Sequence, residues 1–201
     1  MESLFSKLIW QQENVLDEDF CKSVIDKFES DQNVYSGITF SGLNPAVKKT
    51  TDLLISKFEY WNEQDLILYK ILNEKLAEYR NYLYKINTAL NPFYENEIED
   101  SGYLLQKYEI KNDQNDSGGY YTWHTDQHFE KTRIRVLTYI WYLNEVNDGG
   151  ETEFIDGTLI KPTTGKMVIF PATWEYVHRG NEPISNSKYI CTGWIYFKKT
   201  V

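Results

Sequence analysis

Apolar positions follow one rhythm in the first part of this chain and another in the second. Over residues 64–83, Leu68, Ile71, Leu72, Leu76 and Tyr79 recur at spacings of three and four. That spacing lines one face of a helix and predicts a helix laid against a sheet. Phe20, Val24, Ile25 and Phe28 fall on the same period. They predict a helix over 18–30, with the Asp17 carboxylate placed to cap its first amides. Residues 3–12 mix apolar and polar positions, as an edge strand or a short lead-in would. Residues 33–44 contain Gly37 and Gly42 and read as loop with short strand pieces, while 46–58 has no clean period.

After Asn91-Pro92 the texture changes. Short runs of β-branched and aromatic residues alternate with Gly, Asn and Asp turns to the end of the chain. The runs 103–110, 133–143, 151–155, 158–161, 166–170 and 189–198 are expected strands, and Asn147-Asp148-Gly149-Gly150 is a turn behind the strongest of them. Helices first and strands afterwards predict a mainly β fold with flanking helices (α+β). The expected core is a jelly roll, or double-stranded β-helix, with the N-terminal helices packed outside. The length fits a single domain over 1–201, in which 1–100 is helical support and 101–201 carries the chemistry.

Composition narrows the partners. A net charge of −9 argues against nucleic acid, because phosphate binding needs clustered cations. It leans toward a neutral or basic substrate. No apolar run is long enough to span a bilayer, and the first ten residues lack the features of a signal peptide. Two cysteines are too few for a disulfide or zinc framework, so a cytoplasmic setting is the expectation. The 16 tyrosines fit sandwich packing, or more sharply a groove for a peptide or sugar.

Candidate chemistry gathers around His124-Thr-Asp126 and His178. Residues two apart on a strand share a side, so His124 and Asp126 can face one ion and a distant histidine can complete the set. Two imidazoles and one carboxylate suit an open non-haem iron(II) centre. His128 falls in the same phase, so a His124/His128/His178 set of cupin or zinc type is an alternative. A third reading is a non-catalytic β-sandwich with a vestigial site. The polar stretch 111–119 lies directly before the first ligand pair and is a candidate lid.

The string from Arg133 to Thr152, RIRVLTYIWYLNEVNDGGET, resembles the iron(II)- and 2-oxoglutarate-dependent oxygenases of the prolyl 4-hydroxylase-like group, compact bacterial and phage types included. Pro162, Gly165, Val168-Ile169-Phe170-Pro171, His178, Gly180, Pro183, Lys188 and Gly193-Trp194 continue the likeness, which covers residues 103–198. The resemblance implies His124, Asp126 and His178 as metal ligands. It implies Lys188, with Tyr142 and Tyr108, as the residues holding 2-oxoglutarate. Trp194, Thr138 and Ile140 are expected to line the pocket. The implied cofactors are Fe(II), 2-oxoglutarate and O2. The implied reaction couples oxidative decarboxylation of 2-oxoglutarate to hydroxylation of a peptidyl (prolyl-type) or small-molecule substrate. Asp126 stands where a halogenating relative carries a small residue, so the resemblance favours hydroxylation.

Overall fold

The computed structural model of the protein describes residues 3–91, 97–111 and 117–198. Pro92 of the expected boundary and residues 112–116 of the candidate lid lie outside them. A short helix α1 (Leu4–Lys7) leads into strand β1 (Trp10–Gln12). Helix α2 (Glu18–Ser30) starts where its sequence predicts: the Asp17 carboxylate accepts from the amides of Asp19 and Phe20 at 2.9 and 3.3 Å. Strands β2 (Tyr35–Ser36), β3 (Lys48–Lys49) and β4 (Thr51–Leu54) occupy the loop-like and aperiodic stretches. Two 3₁₀ turns, Ile55–Lys57 and Glu59–Trp61, lead into α3 (Asn62–Ile86), which is longer than 64–83 at both ends.

The strands that follow are β5 (Ile98–Asp100), β6 (Leu104–Tyr108), β7 (Tyr120–His124), β8 (Arg133–Tyr142) and β9 (Thr152–Phe154). The chain closes with β10 (Leu159–Ile160), β11 (Met167–Pro171), β12 (His178–Gly180) and β13 (Lys188–Lys198). They form two antiparallel sheets. The larger runs β1-β11-β8-β13-β6-β4-β2, with β5 added on β13, and the smaller runs β10-β9-β12-β7-β3. This is a jelly roll with helices against its outside, as the pattern predicts.

Alternation in the larger sheet sorts side chains between two compartments. Leu137, Tyr139 and Trp141 of β8, Leu105 of β6 and Cys191 of β13 pack with Val24 and Phe28 of α2 and Leu68, Leu72 and Tyr79 of α3. The opposite phase, Ile140, Tyr142, Tyr108 and Ile190, packs between the sheets with Phe154 and Phe170. One sequence period therefore builds the helix-covered core and the other builds the site wall. Truncating Leu72, which is 1% exposed, to alanine should cost about 2–5 kcal/mol, because a cavity is left as well as a transfer term lost.

The first hundred residues do more than supply helical support. β1 pairs with β11, β4 with β6 and β3 with β7, so this region adds strands to both sheets. Strands of two to four residues are too short to show a period, which is why the sequence reads there as loop. Among the described residues no helix is long and apolar enough to cross a membrane.

Candidate metal centre

Two short strands of the smaller sheet meet at the site. His124 ends β7 and His178 begins β12, and the two are register partners with ring centres 4.3 Å apart. Asp126 is brought in differently from the sequence expectation. It lies past the end of β7, so strand alternation does not aim it; the Thr138 hydroxyl, donating to its Oδ2 at 2.7 Å, does. One donor atom from each of His124, Asp126 and His178 lies within 4.8 Å of the other two. Among the described residues this is the one such group of metal-ligating side chains.

Both imidazoles are oriented by backbone. Nδ1 of His124 lies 2.8 Å from the Thr122 carbonyl, and Nδ1 of His178 lies 2.9 Å from the Tyr176 carbonyl. Each ring therefore holds its proton on Nδ1 and leaves the Nε2 lone pair free, the tautomer a metal needs. Burial, reinforced by the neighbouring His178, pulls the His124 pKa down to about 3, so its ring stays neutral at ordinary pH. Burial works against the Asp126 carboxylate, yet the His178 imidazole and the Thr138 hydroxyl hold its pKa below the usual carboxylate range. Two imidazole nitrogens and one carboxylate with an open side fit iron(II). His128 takes no part; its ring packs tilted against Phe40, with centres 4.6 Å apart, on the cavity lining, which removes the cupin-type set from the geometry.

A cavity of about 430 Å³ opens beside the three side chains. At one end Lys188, 1% exposed, donates to the Gly150 carbonyl at 2.8 Å and lies 4.0 Å over the Tyr108 ring. No carboxylate pairs with it among the described residues, and burial lowers its pKa to about 7 despite the pull of Glu151. A buried ammonium in that state favours an incoming anion. Gly150 turns with φ 73°, a backbone that suits glycine, and thereby offers its carbonyl to Lys188. Tyr108 borders the same end, with its hydroxyl on the Gln106 side chain at 3.3 Å. Tyr142 stands one layer back: it is fully buried, does not border the cavity, and donates to Thr152 Oγ1 at 2.7 Å. Thr152 borders the cavity in its place.

Thr138, Ile140 and Trp194 line the cavity. Sequence reasoning missed Arg135, Gln106, Thr152, Lys48 and Asp52, which line it too. Gln106 was legible, being polar in the phase of Tyr108. Arg135 was not. Counting in twos from Thr138 aims it elsewhere, but the pairing of β8 with β13 slips between Ile195 and Tyr196, and that irregularity turns Arg135 inward. Its guanidinium lies 3.7 Å from the Trp194 ring and donates to the Tyr196 hydroxyl at 2.9 Å. The buried Trp194 Nε1 has no hydrogen-bond partner among the described residues.

Residues 105–196, from β6 into β13, match the family model of the 2OG-Fe(II) oxygenase superfamily. The chain is a 2-oxoglutarate- and iron(II)-dependent oxygenase. Its cofactors are Fe(II), 2-oxoglutarate and O2. The oxygenase shares its fold with a viral collagen prolyl hydroxylase from Paramecium Bursaria Chlorella virus-1. That likeness covers 94% of this chain and 96% of the other, at 17% identity and a TM-score of 0.59. A Pseudomonas putida prolyl-4-hydroxylase aligns over 96% of this chain and 93% of its own, with 19% identity and a TM-score of 0.60. A Trichoplax adhaerens prolyl hydroxylase, solved with a hypoxia inducible factor oxygen degradation domain peptide fragment, covers 96% and 85% at 16% identity, with a TM-score of 0.68. Among curated proteins, none matches the sequence.

Proposed function

We propose that the oxygenase hydroxylates a prolyl-type residue within a polypeptide, with His124, Asp126 and His178 as the iron ligands and Lys188 as the anchor of 2-oxoglutarate. The observation that carries the substrate reading is a pair of donor side chains on the cavity wall, next to the metal ligands. Arg135, stacked on Trp194, donates Nε–H to the Tyr196 hydroxyl at 2.9 Å and Nη1–H to the Asp126 carbonyl at 3.5 Å, which leaves the rest of its guanidinium with no carboxylate partner among the described residues; the indole N–H of Trp194 is buried without an acceptor among them. A polypeptide offers repeated carbonyl acceptors to such donors, and leaving them unpaired is costly.

Bound iron(II) supplies the oxygen-activating redox chemistry, driven by oxidative decarboxylation of 2-oxoglutarate to succinate. The protein's side chains do the rest by positioning and by excluding water. The carbonyls of Thr122 and Tyr176 keep both imidazole protons on Nδ1, and the Thr138 hydroxyl holds the Asp126 carboxylate. Lys188 meets the remote carboxylate of 2-oxoglutarate as a buried point charge, with Thr152 and Tyr108 beside it and Tyr142 bracing Thr152. Ile140 and Ile190 keep that end apolar. Arg135 and Trp194 receive the substrate backbone on the opposite side.

The deciding experiment offers iron-loaded enzyme proline-containing peptides, free amino acids and other small metabolites, and follows succinate release together with the mass of each substrate. A gain of 16 mass units on a prolyl residue, absent with Asp126→Ala, is the expected result. Turnover of a free amino acid with every peptide inert would overturn the polypeptide reading. The lid reading of 111–119 has its own test: shortening that stretch should uncouple succinate release from substrate oxidation.

A further inference from the structure

Outside the family-matched segment, a second buried charge cluster forms part of the cavity wall. Lys48 and Asp52 are 4% and 1% exposed, and their Nζ and Oδ2 lie 2.6 Å apart. Asp52 is held further by the Thr50 hydroxyl at 2.7 Å and the Gln106 amide at 3.3 Å. The Lys48 ammonium lies 3.5 Å from the Ile38 carbonyl and 5.4 Å from the centre of the Tyr121 ring. Tyr121 in turn stacks flat on His124, with ring centres 3.5 Å apart and 11° between planes. Ammonium, phenol and imidazole thus form one column that ends on a metal-ligating side chain.

Stability alone gives a weak reason for this pair. Buried ion pairs are often replaceable by apolar residues of similar volume without loss, since desolvation offsets their attraction. A column ending on His124 gives a stronger one. The Nδ1 contact to Thr122 fixes the tautomer of that ring but leaves it free to rock about the hydrogen bond. A ring clamped on one face by Tyr121, itself drawn toward a fixed cation, loses that freedom.

We propose that Lys48, anchored by Asp52, is a positioning residue that sets the plane of His124 through Tyr121. The inference rests on reading His124 as an iron ligand. It means that the first hundred residues, beyond shaping the cavity, tune the metal centre itself.

Cobalt(II), titrated into apo-protein, reports affinity and ligand geometry without turnover. Lys48→Met should weaken cobalt(II) binding on the order of tenfold, toward the low end of what outer-shell partners contribute, and shift its visible bands. Lys48→Met/Asp52→Leu removes both charges and guards against misfolding by a lone buried carboxylate. It should show the same weakening with an unchanged apo Tm. In a Tyr121→Leu background, Lys48→Met should add nothing further. Wild-type affinity and bands in the folded double variant, or an undiminished effect of Lys48→Met in Tyr121→Leu, would overturn the proposal. Failure of wild-type protein to bind cobalt(II) at all would instead remove the metal-centre reading on which it rests.

Discussion

The Lys188 ammonium lies 4.0 Å above the Tyr108 ring and 2.8 Å from the Gly150 carbonyl, two partners that carry no full negative charge. A cation so placed is poised for an anion, and the cavity beside it leads to His124, Asp126 and His178. Removing it should leave metal binding intact and spoil cosubstrate binding. Lys188→Met is expected to raise the Kd for 2-oxoglutarate on the order of 100-fold, the equivalent of about 3 kcal/mol for one charge-assisted contact. Anaerobic titration of iron(II)-loaded protein, following the charge-transfer band, reads this directly. An unchanged Kd would place the anchor elsewhere.

The same group sets a pH dependence. Burial lowers the Lys188 pKa to about 7, well below the ordinary lysine value of about 10.4. Between about pH 7 and 10 the unfolded chain therefore binds a proton there that the native apo-protein lacks. The linkage slope is then positive, and this group's destabilising contribution fades as pH rises through that window. Cosubstrate binding has the opposite sense, because the dianion favours charged lysine and raises its pKa. At about pH 8, 2-oxoglutarate binding should take up close to one proton in wild type and none at this site in Lys188→Met. Calorimetry in buffers of different ionisation enthalpy measures that uptake.

Asp126 depends on Thr138 for its direction, since it lies beyond the strand that carries His124. Asp126→Ala should abolish tight iron(II) binding. Thr138→Val should weaken it about tenfold, within the range for outer-shell partners, and Thr138→Ser should restore it. Metal titrations of the apo-proteins provide the comparison, and equal affinities for Val and Ser would show that the hydroxyl is not what aims the carboxylate.

These dependences mark where the sequence was readable. Asp17 capping Glu18–Ser30 and the apolar stripe of α3 were legible because a helix repeats its signal over many turns. The grouping of His124, Asp126 and His178 was legible because residues 124–194 carry a whole ordered string of motif residues. Arg135 was hidden because a single slip in the pairing of β8 and β13 reverses the side its alternation predicts. Lys48 and Asp52 were hidden for another reason. They sit in strands of two and four residues, and only sheet pairing brings them to the cavity. Tyr142 falls on the face of β8 that the alternation predicts but stands one layer behind the cavity, because Thr152 intervenes.

The Asp17 cap gives a stability prediction independent of the site. Its carboxylate accepts from two otherwise unpaired amides and carries negative charge at the positive end of the helix. Asp17→Ala should lower unfolding free energy by about 1 kcal/mol with cobalt(II) affinity unchanged. Urea denaturation of apo-protein reads the first quantity, and a loss below roughly 0.3 kcal/mol would show that the cap contributes little here.

His128 separates the oxygenase reading from its cupin-type rival. It is close in sequence to both His124 and Asp126, yet its ring rests against the exposed Phe40 rather than near His178. His128→Ala should therefore leave iron(II) and cobalt(II) affinities at wild-type values, whereas His124→Ala and His178→Ala each remove tight binding. Because Phe40 and His128 pack together on the cavity lining, the same variant should still alter substrate handling, raising KM with little change in kcat. A His128→Ala protein that lost metal while Asp126→Ala kept it would reverse the ligand assignment.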